Sequence, residues 1–179
     1  MMKFFVKALV TVVLGLAIVA TPASAQIKWQ LGLGPTLPMG DFGDSFKLGF
    51  HAMGGANFAL TEKPISFRAD VAYNINKCDI AGCGNISSNL LTLSGNVQYN
   101  FPTPSSHPYL TGGLTWGRAS LGGSDAPSGI DAESDIGFNV GGGLHFDLGG
   151  TTAFLEARYF SIGGNLDADF IPITFCVRF

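Results

Sequence analysis

Asp169-Phe170-Ile171-Pro172-Ile173-Thr174-Phe175-Cys176-Val177-Arg178-Phe179 alternates without a slip, and the chain stops on an aromatic ring. Ile171, Ile173, Phe175, Val177 and Phe179 fall on one face, and Pro172, Thr174, Cys176 and Arg178 on the other. Successive side chains of a strand point to opposite faces, so the segment reads as a strand with one apolar and one polar side. Soluble domains seldom finish on an unfrayed apolar strand, because chain ends are usually loose.

The same period of two recurs upstream. Ile65, Phe67, Ala69, Val71, Tyr73 and Ile75 oppose Ser66, Arg68, Asp70, Ala72, Asn74 and Asn76. Leu91, Leu93, Gly95, Val97, Tyr99 and Phe101 oppose Thr92, Ser94, Asn96, Gln98 and Asn100. Ile136, Phe138, Val140, Gly142, Leu144, Phe146 and Leu148 oppose Gly137, Asn139, Gly141, Gly143, His145 and Asp147. Ile27, Trp29, Leu31 and Leu33 begin a first strand, residues 50–60 a second, residues 110–118 a fifth of blurred phase, and residues 153–161 a seventh. With the terminal run this makes eight strands. Connections alternate in length: residues 61–64, 102–107 and 149–151 are short, whereas 38–47, 77–88, 119–134 and 162–169 are longer.

Eight alternating strands fit two kinds of closed barrel. A soluble ligand-binding barrel turns its apolar face inward and its outer face to water. A transmembrane barrel turns the apolar face outward to lipid. The polar faces here carry mainly Gly, Ser, Thr, Asn and Gln, not the Lys and Glu of a wetted surface. Small uncharged groups suit a crowded interior. Aromatics favour the same answer: Phe58, Phe67, Tyr99, Phe101, Phe146 and Phe179 gather near the short-turn end, and Tyr73, Trp116, Phe138 and Tyr159 toward the other. Two such belts match the two interfaces of a bilayer. Pro172 strains this picture, since it removes a ladder donor, and is expected at a bulge or the outer rim.

The N-terminal end is consistent. Lys3 and Lys7 precede an apolar run over residues 8–20, and Ala23-Ser24-Ala25 offers a small-residue cleavage site before Gln26. The run is shorter than the ~20 residues of a spanning helix, so residues 1–25 read as a secretory signal peptide. Residues 26–179 then form one domain. That domain keeps all 13 acids and, with Lys3 and Lys7 removed, 8 of the 10 bases, which argues against a nucleic-acid partner. Charged residues make up 13% of the chain, against about 25% in a typical soluble domain.

On these residues the chain resembles the small outer-membrane β-barrel family that includes outer-membrane protein X, the opacity proteins and the barrel of outer-membrane protein A. The resemblance spans residues 26–179. It is carried by Pro108-Tyr109-Leu110-Thr111-Gly112-Gly113, by residues 138–148, by Leu155-Glu156-Ala157-Arg158-Tyr159 and by the terminal Phe179. It implies an eight-stranded antiparallel up-and-down transmembrane β-barrel of the Gram-negative outer membrane, with a polar filled lumen, short periplasmic turns and longer extracellular loops. It also implies that Phe175, Val177 and Phe179 form the signal read by the outer-membrane assembly machinery. Members act variously in envelope integrity, adhesion and host-factor binding, and fold does not choose among these.

Candidate sites follow from the polar face. Arg68 and Asp70 point inward from the third strand, Glu156 and Arg158 from the seventh, all near mid-depth. Buried charges must pair, so salt bridges across the lumen are expected. A gate for ions is one reading, a sealed structural plug the blander one, because eight strands leave space only for side chains. Cys78 and Cys83 flank Asp79-Ile80-Ala81-Gly82, and in an oxidising compartment a disulfide is expected there. A metal pair lacks the further ligands that zinc requires. Cys176 reads as an inert lumen thiol. His51 and His145 share the inward face with Asp147 and read as hydrogen-bonded interior histidines rather than ligands or bases.

No nucleophile constellation stands out, and the glycines precede no helix in a phosphate-loop pattern. The long loops hold Asp41, Asp44, Asp79, Asp125, Asp131, Glu133, Asp167 and Asp169 against Lys47 and Lys77. They offer a surface for a cationic or calcium-bridged extracellular partner, or a merely solvated exterior. The reading is a non-enzymatic structural or surface-interaction protein of the outer membrane, without cofactor. A lipid-modifying barrel enzyme and a soluble ligand carrier are the alternatives.

Overall fold

A computed structural model describes residues 26–60, 63–80, 83–103, 107–127, 129–149 and 151–179. The leader expected over residues 1–25 lies outside the described residues. Eight strands run β1 (Gln26–Met39), β2 (Gly49–Ala59), β3 (Ile65–Lys77), β4 (Ser87–Asn100), β5 (His107–Gly122), β6 (Glu133–Asp147), β7 (Thr152–Ile162) and β8 (Ala168–Arg178). A short helix α1 (Gly40–Ser45) follows β1. Each strand pairs antiparallel with its sequence neighbour, and β8 returns to β1, so the sheet closes on itself. Closure satisfies the backbone donors and acceptors that an open edge would leave bare, a requirement for strands in hydrocarbon.

The last step of closure is local. Phe179 N donates to Trp29 O at 2.9 Å, and Trp29 N to Phe179 O at 2.8 Å. Cross-strand partners followed once round the barrel lead from Trp29 through Ala56, Ala69, Gly95, Leu114, Phe138, Ser161 and Asp169 back to Met39. The path returns to β1 ten positions further along the same strand. This stagger tilts the strands and sets the bore of the cylinder.

Orientation is decided by exposure. Val71, Val97 and Val140 are 47%, 50% and 53% exposed, while Arg68 and Asn96 are 2% and 4%. The outer surface is a continuous band of Trp29, Leu31, Leu33, Phe50, Phe67, Leu93, Leu114, Ile136 and Phe175. A band of that extent far exceeds the few hundred Å² of apolar patch that a water-facing protein tolerates. Among the described residues no helix is long and apolar enough to cross a membrane.

Three local expectations needed correction. Strands reach higher than the hydropathy pattern suggested, so the long connections shrink to residues 40–48, 78–86, 123–132 and 163–167. Polar alternation at the strand tops carries no hydropathy signal. The blurred phase of β5 resolves with Tyr109, Thr111, Thr115 and Gly117 buried inward; the adjacent Gly112 and Gly113 had hidden it. Pro172 marks neither a bulge nor the rim. The β7–β8 register is the same on both sides of it, running from Ala157↔Ile173 to Phe160↔Phe170, and Pro172 still sits opposite Thr36 of β1. A missing N–H skips ladder bonds without inserting a residue, so the strand stays in step.

Candidate functional site

The lumen is layered, and its middle layer is charged. Arg68 leaves β3 inward beside Asp70, two positions along the same strand and so on the same face. Glu156 and Arg158 do likewise from β7. The structure brings all four together. Arg68 Nη1 donates to Glu156 Oε2 at 2.6 Å and Nη2 to Oε1 at 2.9 Å, a bidentate pair across the bore. Arg68 Nε donates to Asp70 Oδ1 at 2.9 Å. Arg158 Nη1 reaches Asp70 Oδ2 at 3.2 Å. Arg158 Nε lies 2.9 Å from Glu156 Oε1, an ionic contact whose angle does not suit a hydrogen bond.

Neutral groups complete the shell. Gln30 Nε2 donates to Asp70 Oδ1 at 2.8 Å, Asn96 Nδ2 to Asp70 Oδ2 at 3.2 Å, and Tyr109 Oη to Glu156 Oε2 at 2.8 Å. Asn139 Oδ1 accepts from Arg158 at 3.5 Å. Full coordination is what makes a buried carboxylate tolerable, since a bare one would cost several kcal/mol.

Below the network lies Arg178. Its Nε and Nη2 donate to Gln30 Oε1 at 3.2 and 3.0 Å, and its guanidinium stands 4.9 Å from the Phe154 ring centre. Arg68 stands 5.4 Å from the same ring. Three lumen bases therefore face two lumen acids, and the third is held by an amide oxygen and a shared aromatic face. Tyr109 stacks on His145 at 4.4 Å and packs with Met53, Phe154 and the buried thiol of Cys176.

Above the network, His51 sits between Thr36 at 3.0 Å and Thr174 at 2.9 Å. The structure does not bring His51 and His145 together, because they occupy opposite ends of the lumen. Beside His51, Arg158, Phe160 and Pro172 lies a void of about 10 Å³, room for one water. Toward the extracellular mouth the filling turns apolar. Leu90, Phe160, Ile162 and Phe170 form a cluster, with Phe42 of α1, Ala119 and Leu166 against it. The Phe160 and Phe170 rings stack at 4.9 Å. The polar lumen thus carries an apolar layer at its extracellular end.

The loops are laced to one another. Cys78 and Cys83 are joined, with Cα atoms 6.5 Å apart. Asp79 N donates to Ser45 O at 2.9 Å, and Lys47 Nζ lies 2.9 Å from Asp79 Oδ1. Asp125 Oδ2 accepts Asn85 N at 2.7 Å, and Asp135 Oδ2 accepts Asn165 N at 2.9 Å. Each of these asparagines follows a glycine of positive φ, Gly84 and Gly164, where a Cβ would strike the carboxylate. Three acids of the extracellular side therefore work inside the protein. Among the described residues no group of three His, Cys, Asp or Glu side chains converges as a metal site would require.

Gln30, Asn96, Tyr109, Asn139, Phe154 and Arg178 were not singled out from the sequence as network members. Gln30, Asn96, Asn139 and Arg178 were legible only as polar-face positions, and nothing local names the strand they meet. Phe154 shares the inward phase of Glu156 and Arg158, but its apolar character gave no sign of a lumen position, and Tyr109 adjoins the strand of blurred phase.

Several solved structures share this architecture. Neisserial surface protein A is 20% identical, with a TM-score of 0.70, covering 87% of this chain and 98% of its own. Ail, the attachment invasion locus protein of Yersinia pestis, is 13% identical with a TM-score of 0.57, covering 88% of this chain and 100% of its own. The N-terminal β-barrel domain of Pseudomonas aeruginosa OprF is 16% identical with a TM-score of 0.52, covering 87% and 100%. At these identities the likeness is one of fold. No curated protein matches the chain in sequence. The outer membrane protein β-barrel domain model matches residues 10–179, so this chain, with its outward apolar band and closed cylinder, belongs to that outer-membrane family.

Proposed function

We propose that this barrel is a sealed, non-catalytic scaffold that holds a rigid set of extracellular loops for contact with a partner. The observation that carries the reading is the bidentate Arg68–Glu156 pair spanning the bore, with an apolar layer above it. An ion crossing would have to break several charge-assisted bonds in a low-dielectric space. The loops support the second half of the reading. The disulfide, the Lys47–Asp79 pair and the two carboxylate ties lower the ordering cost on binding. Asp41, Asp44, Asp131, Glu133 and Asp167 remain outside those ties and favour a cationic partner. The names of Ail and of Neisserial surface protein A are consistent with surface roles in this fold.

In the same proposal residues 1–25 are removed after export, and the assembly machinery reads Phe175, Val177 and Phe179. The Arg68, Asp70, Glu156 and Arg158 network serves as a plug and not a gate. Planar-bilayer recording from the purified barrel tests the seal: no unitary current steps are expected in molar salt. Regular openings would overturn the plug, and an altered lipid A profile in a deletion strain would overturn the absence of catalysis.

A further inference from the structure

The strand positions that point outward are nearly free of charge. Among the described strand residues only Lys77 on β3, Arg118 on β5 and Asp169 on β8 are charged and outward-facing, and all three sit at the extracellular ends. The two bases lie on one side of the barrel, and the acid lies on another. Register places polar neighbours around the bases. Arg118 faces Leu91 on one side and Ser134 on the other, Asn89 faces Ser120, and Lys77 faces Ser87. These residues form a polar strip over β3–β6, bounded below by Ile75, Tyr73, Leu91, Trp116 and Ile136. Lys77, Arg118 and Ser120 are exposed. Among the described residues no carboxylate lies within salt-bridge distance of Lys77 or Arg118.

We infer that the strip of Lys77, Asn89, Arg118, Ser120 and Ser134 is a docking site for the phosphate-bearing headgroup of an outer-leaflet lipid. Depth and direction carry the argument. A Tyr and a Trp at the lower margin mark the boundary between acyl chains and headgroups. Long basic side chains rooted just above that boundary extend their charge to headgroup level. A guanidinium with adjacent hydroxyl and amide groups supplies the several donors that a phosphate accepts. The strip faces sideways into the leaflet, while the mouth above it is ringed by acids, which repel a free anion from bulk solution. A lipid reaches the strip laterally without crossing that field.

Native mass spectrometry of the full barrel, released from phosphatidylcholine nanodiscs doped with bis-phosphorylated lipid A, tests the inference. The wild-type protein retains the phosphorylated lipid over its dephosphorylated form. Lys77→Gln or Arg118→Gln lowers retention roughly fivefold, and the double variant roughly twentyfold. Heat-modifiable gel migration checks that the variants are folded, and Asp169→Asn, away from the strip, leaves retention unchanged. Equal retention of the two lipid forms, or retention that survives the double substitution, overturns the site. So does displacement of the lipid by millimolar inorganic phosphate, which would assign the strip to a soluble anion.

Discussion

Arg68 of β3 and Glu156 of β7 grip each other across the lumen at two points, 2.6 and 2.9 Å, with neither side chain exposed. With Arg158 and Asp70 beside it, the pair ties together opposite walls of the cylinder.

Removing one partner should therefore be costly. Arg68→Ala leaves Glu156 and Asp70 without their main counter-charge, and an unfolding loss of about 3–5 kcal/mol is expected. Urea titration of the barrel in lipid vesicles measures it. The double change Arg68→Ala with Glu156→Ala should cost less than the sum of the two single changes, because the pair is coupled. Strict additivity would mean that the two residues do not act as a unit.

Tyr109→Phe isolates one neutral member of the shell. It removes the hydroxyl that donates to Glu156 Oε2 at 2.8 Å while keeping the ring against His145 and Phe154. A loss of about 1–3 kcal/mol is expected for a bond to a buried carboxylate. The same titration reads it, and an unchanged midpoint would remove Tyr109 from the network.

Gly34 lies in β1 at the seam with β8, where a Cβ would overlap the carbonyl oxygen of Ile173. The ladder there already skips from Leu33↔Phe175 to Thr36↔Pro172. Gly34→Ala should force the closing strands apart, and heat-modifiable migration should be lost or weakened. By contrast Gly95→Ala, whose Cβ meets nothing within 4 Å, should fold normally. Equal behaviour of the two variants would mean that close strand approach at the seam is not required.

The loop disulfide should matter to the loop and little to the barrel. Cys78→Ser should expose residues 78–86 to protease and loosen α1, which is tied to this loop through Asp79. The barrel midpoint should fall by no more than about 2 kcal/mol, as expected for so short a closed loop. Intact-mass analysis without reductant checks the bond itself, and two free thiols would contradict it.

The terminal strand carries both the closing pair with Trp29 and the proposed assembly signal. Deleting Phe179 should reduce assembly in cells far more than refolding of purified chain into detergent. A matched loss in both assays would reduce the residue to its structural part.

The strand count, the outward face and the inward phase of Arg68, Asp70, Glu156 and Arg158 were legible in the sequence. Each rests on a period-two pattern that local steric geometry imposes on any strand. The same pattern could not tell that Gln30 meets both Asp70 and Arg178, or that Phe154 stands between Arg68 and Arg178. Those contacts depend on the ten-residue stagger round the cylinder, which sums seven turns and one closure between residues far apart in the chain. Alternation is a property of neighbours along one strand, so sequence declares it. Which side chains meet across a closed bore is set by the relative heights of all eight strands, and only the folded barrel fixes those heights.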